Sequence, residues 1–87
     1  MYTIHFTDQF QHDYKSLAHI EQKVIKRALV RMEGDLRYRS LRVKTIRGRE
    51  EVWEASASCD LRLTFLFHEP DTLVLRTCGH HDNALKR

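Results

Sequence analysis

This chain has little that would bend, staple or embed it. Among its 87 residues are one proline, three glycines and two cysteines. So little proline and glycine excludes collagen-like repeats and flexible low-complexity segments. The two cysteines, Cys59 and Cys78, are too few for a disulfide framework, and their spacing is not that of a zinc motif. Both are expected to be reduced thiols. No apolar run approaches the roughly 20 residues of a membrane-spanning helix. Met1-Tyr2-Thr3-Ile4-His5 lacks the charged stretch followed by an apolar run that marks a secretory leader. A soluble, cytoplasmic protein is the expectation. Neither sign of charge dominates: fifteen Lys and Arg stand against twelve Asp and Glu, a formal net charge of +3. The basic residues are concentrated between Lys23 and Arg49. Such a belt suits a polyanion or an acidic partner protein and specifies neither.

What is present fits one small domain spanning residues 1–87. The hydrophobic fraction, 41%, supplies a single core, and apolar residues recur in every segment. Tyr2 to Phe6 alternates and is β-prone, so it predicts a first strand. Thr7 is a good helix N-cap, and Asp8 falls where a helix N-terminus favours negative charge. Phe10, Tyr14 and Leu17 follow at helical spacing. A second periodic run carries Ile20, Val24, Ile25, Ala28, Leu29 and Met32 and stops near Gly34. Lys23, Lys26, Arg27 and Arg31 form its outer face, for which the ordinary reading is a solvated surface.

After a polar loop, Leu41 to Ile46 alternates apolar and basic, as a half-buried strand does, with Leu41 and Val43 inward. Arg47-Gly48-Arg49 predicts a turn. Val52 to Ser58 predicts a strand with Trp53 and Ala55 on one face, Glu54 and Ser56 on the other. Leu61 to Phe67 is the clearest strand, with Leu61, Leu63, Phe65 and Phe67 opposite Arg62 and Thr64. Glu69-Pro70-Asp71 turns the chain, and Thr72 to Cys78 is the last strand. Asn83 to Arg87 has room for a short helical turn. The fold class expected is α+β: an N-terminal strand, a helical hairpin, then a four-stranded antiparallel meander, helices on one sheet face. The other face then carries Arg42, Lys44, Glu54, Arg62 and Arg76.

The last strand leads into Gly79-His80-His81-Asp82, a cluster that core packing does not require. Cys78, His80, His81 and Asp82 are each able to ligate a metal. They form a single cluster, whereas structural zinc sites draw on two separated pairs, so no metal and no cofactor are expected. His5, His12, His19 and His68 have no partners at ligand spacing.

Element order, Gly48 followed by Val52-Trp53-Glu54-Ala55, then Asp60-Leu61-Arg62-Leu63-Thr64-Phe65, and the terminal Leu75-Arg76-Thr77-Cys78-Gly79-His80-His81-Asp82 together resemble the RelE/ParE toxin superfamily of type II toxin–antitoxin systems. The resemblance spans essentially the whole chain. Through its terminal histidine it is closer to the RelE branch, ribosome-dependent endoribonucleases that cut messenger RNA, than to the ParE branch, which inhibits DNA gyrase. It implies three partners: a cognate antitoxin that wraps the toxin or displaces its C-terminal segment, mRNA, and the ribosome. Contact with operator DNA would come only through the antitoxin. A gyrase-inhibiting toxin, or an inactive relative that serves as an antitoxin-bound co-repressor, are the alternatives.

Metal-independent RNA cleavage uses the substrate's own 2′-hydroxyl as nucleophile. It needs proton transfer to and from oxygen, and cations on the phosphate. Histidine, with an ordinary pKa near 6.5, suits the first task. Arginine suits the second, because its planar fork binds phosphate bidentately. The resemblance points to His81 as the catalytic histidine, with His80 in that position under a one-residue slip. Adjacent strand residues point to opposite faces, so one of the two faces the RNA. It likewise places a phosphate-binding arginine at Arg62, for which the ordinary alternative is an ion pair with Glu54 across the ladder. Glu54 is a further carboxylate candidate for catalysis. Arg42, Lys44, Arg47, Arg49 and Arg76 are expected to bind RNA phosphates; their ordinary roles are solubility or contact with an acidic antitoxin segment. Trp53 is expected in the core, with base stacking as the other use of its ring.

Overall fold

The computed structural model describes residues 1–81. Asp82 and the predicted helical turn of Asn83 to Arg87 lie outside the described residues. The elements are β1 (Thr3–Phe6), α1 (Asp8–Ser16), α2 (His19–Gly34), a 3-10 turn at Arg39–Leu41, β2 (Lys44–Ile46), β3 (Arg49–Ser56), β4 (Leu61–His68) and β5 (Thr72–His80). Five strands form one mixed sheet in the order β1-β5-β4-β3-β2. From β2 to β5 every pairing is antiparallel, as the predicted meander requires. β1 is added in parallel to β5, with Thr3 opposite Thr72 and Phe6 opposite Leu75.

Thr7 starts α1 as its sequence position predicts. Its hydroxyl accepts the Phe10 N–H at 3.2 Å and donates to the Leu75 carbonyl at 2.7 Å. The cap therefore also fixes the helix against β5. Both helices lie on one sheet face. Phe10, Ile25, Ala28 and Met32 pack there against Leu63, Phe65, Leu73, Leu75 and Cys78. Burying each of the Leu, Ile, Phe and Met side chains among them contributes about 1.5–3 kcal/mol. Ile20, grouped by spacing with the inward positions of α2, is exposed instead. Among the described residues no helix is long and apolar enough to cross a membrane.

Two irregularities set which side chains share a face. The strand expected over Leu41 to Ile46 begins only at Lys44. Leu41 does go inward, but Arg42 adopts a left-handed conformation, φ 46° and ψ 49°, that closes the 3-10 turn. Arg42 therefore lies outside the sheet and not on its open face. The second irregularity is a bulge between β4 and β5: Thr64 opposes Thr77, while Phe65 opposes Leu75, leaving Arg76 as the extra residue. The bulge resets the alternation of β5. Leu73 and Leu75 face the helices before it, Cys78 and His80 after it.

Candidate active site

The face of the sheet away from the helices carries Lys44, Glu54, Ser56, Arg62, Thr64, Thr77 and Gly79, which oppose one another along the ladders. Arg76 joins them because the bulge turns it there: its Nη1 donates to Thr64 Oγ1 at 3.4 Å. The Thr64 and Thr77 hydroxyls bond each other beneath it. Half-burial pulls the Arg76 guanidinium below its ordinary pKa, and the Arg49 charge nearby adds to the effect. Arg76 and Arg49 thus share one neighbourhood. Arg47 and Gly48 form the β2–β3 turn, where Gly48 has a φ of 82°.

Arg62 opposes Ser56 on β3 and Gly79 on β5. Its Nη1 donates to the carbonyls of Ser58 at 2.6 Å and Cys59 at 2.9 Å, which ties the guanidinium to the β3–β4 turn. The ladder ion pair with Glu54 is not formed. Arg62 and Glu54 are offset by one cross-strand pair, and Glu54 binds Lys44 instead, at 3.3 Å. Glu54 is 4% exposed, and its Oε2 is buried without a hydrogen-bond partner. Lys44 Nζ, by contrast, reaches solvent. In this geometry Glu54 holds Lys44 at the face and does not itself meet a ligand.

The two tail histidines separate. His80 opposes Leu61, on the helix side, and its Nε2 lies 2.9 Å from Glu21 Oε2 on α2. Glu21 uses its other oxygen to accept the Ala18 N–H at the start of α2. His81 is exposed, and its backbone N–H donates to the Asp60 carbonyl at 2.8 Å. The β3–β4 turn therefore holds both Arg62, by its guanidinium, and His81, by its backbone. Gly79 precedes the pair with φ 152°, where an L side chain would be strained, and a Cβ added there would meet open space.

One residue escaped the sequence reading. Asp13 on α1 is buried, accepts the Cys78 N–H at 3.3 Å, and is bonded by Gln9 Nε2 at 2.8 Å. It fixes β5 two residues before His80. A signal was available: Asp13 stands at an inward helical position, between Phe10 and Leu17, where an unpartnered carboxylate would be costly. Among the described residues no group of three or more His, Cys, Asp or Glu could hold a metal ion. Cys59 is exposed and Cys78 buried, both as free thiols.

A sheet of this order with two helices on one face is the RelE/ParE-like toxin fold. The chain superposes on YafQ from E. coli strain BL21(DE3) with a TM-score of 0.76 at 14% identity, covering 95% of this chain and 97% of that one. It superposes on the isolated E. coli RelE toxin with a TM-score of 0.71 at 17% identity, over 100% and 98% of the two chains. A third match is the RelB-RelE antitoxin-toxin complex from Methanococcus jannaschii, with a TM-score of 0.73 at 20% identity over 91% and 92%. Comparison by sequence with protein-family profiles and with curated proteins gives no match.

Proposed function

We propose that this chain is the toxin of a type II toxin–antitoxin system and that it cleaves messenger RNA on the ribosome. The fold supports the toxin reading. The observation that carries the nuclease reading is the β3–β4 turn, which gathers Arg62 and His81 beside a face bearing Lys44 and Arg76.

In the proposed reaction the substrate 2′-oxygen attacks phosphorus and the bond to the 5′-oxygen breaks. A 2′,3′-cyclic phosphate and a 5′-hydroxyl result. His81 serves one of the two proton transfers: as base it takes the 2′-hydroxyl proton, while the departing 5′-oxygen, on the opposite side of phosphorus, takes a proton from solvent. Arg62 stabilises the charge that builds on the non-bridging oxygens, its orientation fixed in advance by two carbonyls. Lys44, held by Glu54, and Arg76 add positive charge along the RNA backbone, with Arg47 and Arg49 at the far turn. His80, bound to Glu21, positions the strand end. The cognate antitoxin is the natural partner for a chain of this fold, as in the RelB-RelE complex.

Primer extension on a reporter transcript after brief induction tests this reading. Cuts within the translated region are expected, and His81→Ala should abolish them while the protein still folds and still captures its antitoxin. Intact transcripts accompanied by DNA damage would mark a gyrase-directed toxin. Intact transcripts with no growth defect would mark an inactive co-repressor. Full toxicity of His81→Ala would overturn the assignment of that residue.

A further inference from the structure

The residue displaced from the open face, Arg42, belongs to a second basic surface. Between the Leu36–Arg42 loop and the helix-side face of β3 and β4 lies a groove of about 600 Å³. Half-buried Trp53 lines it, together with Tyr38 and Phe67, 51% and 41% exposed. Arg37, Arg39 and Arg42 also line it, and among the described residues no carboxylate does. Arg37 is engaged by Asp35 at 3.2 Å. Arg39 and Arg42 are exposed, and neither forms an ion pair among the described residues.

The loop is wound to bring these two together. Arg42 N–H bonds the Arg39 carbonyl at 3.2 Å, and residues three apart on a 3-10 turn lie on the same side. Arg42 itself sits in the left-handed region, which is unfavourable for a side chain other than glycine. Buried Leu41 anchors the arrangement from below. Exposed aromatic rings and arginines lining one groove are the composition of a single-strand nucleic-acid platform: bases stack on the rings and phosphates meet the arginines.

We propose that this groove binds a segment of single-stranded RNA, with a base stacked against Trp53 and Tyr38 and the flanking phosphates on Arg39 and Arg42. It lies on the sheet face opposite Lys44, Arg62 and Arg76, so it is a second contact surface and not an extension of the first. The inference rests on the toxin reading only in taking RNA as the ligand.

The test uses the chain's single tryptophan as reporter. His81→Ala protein is titrated with a 12-nucleotide oligoadenylate, and Trp53 emission is followed at several salt concentrations. Tripolyphosphate and a 12-residue oligoglutamate are run in parallel. Oligoadenylate should quench Trp53 saturably, and neither control should. Tyr38→Ala should weaken binding roughly five- to hundredfold, the loss of one stacked base, while Tyr38→Phe binds within about twofold. Arg39→Ala should lower the slope of log K against log salt by about 0.7, the loss of one phosphate contact. The proposal is overturned if oligoadenylate leaves Trp53 emission unchanged, or if Tyr38→Ala binds as tightly as its parent. It is also overturned if oligoglutamate quenches equally well, which would assign the groove to an acidic protein. Because the readout is binding without cleavage, failure here leaves the nuclease proposal standing, and failure of the cleavage assay leaves this one standing.

Discussion

Glu54 stands in tension between stability and use. Its carboxylate is 4% exposed, one oxygen pairs with Lys44, and the other has no partner. A buried acceptor left unsatisfied costs about 1–3 kcal/mol. Replacing a buried ion pair with apolar side chains is often neutral or stabilising, and removing one partner is costly when the charge left behind is buried. Lys44 is 69% exposed at its side chain and returns to water without penalty once its partner is gone. Glu54→Met should therefore stabilise the fold by about 1–2 kcal/mol. In a domain of this size 1 kcal/mol moves the melting temperature by roughly 4–8 °C, so a rise of roughly 5–15 °C is expected. Lys44→Ala should do the reverse, by about 1 kcal/mol, because it strands a charge already removed from solvent; the pair's exposure on the lysine side keeps that figure small. In the Glu54→Met background the same Lys44→Ala change should cost nearly nothing, closing a double-mutant cycle. Thermal unfolding by circular dichroism measures all four proteins. RNA cleavage, measured alongside, should fall in Glu54→Met, since Lys44 loses the group that holds it at the face. A melting temperature that drops by several degrees in Glu54→Met would refute the reasoning.

His80→Ala removes a partly exposed pair with Glu21, worth about 0.2–1 kcal/mol, so it should lower the melting temperature by a few degrees and leave cleavage intact. Arg62→Lys replaces a fork held by two carbonyls with a single ammonium; cleavage should fall roughly a hundredfold while the circular dichroism spectrum is retained. Asp35 accepts the Arg37 backbone N–H and also binds its guanidinium, which together hold its carboxyl below the ordinary aspartate value. A depressed carboxyl stabilises the fold fully above its unfolded pKa and loses that contribution as pH falls through the folded one. An NMR titration should find Asp35 ionised at a pH where exposed aspartates are half protonated, and Arg37→Ala, which keeps the backbone N–H and removes only the guanidinium, should return it part of the way to the ordinary range.

The elements were legible wherever one period ran unbroken. Leu61, Leu63 and Phe65 alternate as a strand must, and Phe10, Ile25, Ala28 and Met32 recur as a helix face must; all are buried as that patterning requires. Faces were legible only as far as the alternation held. Leu41 to Ile46 alternates as well as any strand, yet the chain spends Leu41 and Arg42 on a 3-10 turn, since Leu41 reaches the core from there. In β5 the single extra residue at Arg76 reverses every side chain after it, which sends His80 to the helices. Nothing local to Leu75-Arg76-Thr77 marks that bulge; it exists because Phe65 and Leu75 must meet in the core while Thr64 meets Thr77 on the other face. Pairing of Glu54 with Lys44 and not Arg62 follows from the same registers, which are properties of three strands together.

The parallel pairing of β1 has a consequence for synthesis. Thr3 to Phe6 are made before the rest of the sheet, yet among the described residues their neighbour in it is β5, whose register starts at Thr72. The Thr7 cap likewise waits for the Leu75 carbonyl. Until those late residues clear the exit tunnel, neither the first strand nor the turn-and-tail junction at His81 has anything to close upon. The strand made first is thus the one that must wait longest for its place in the sheet.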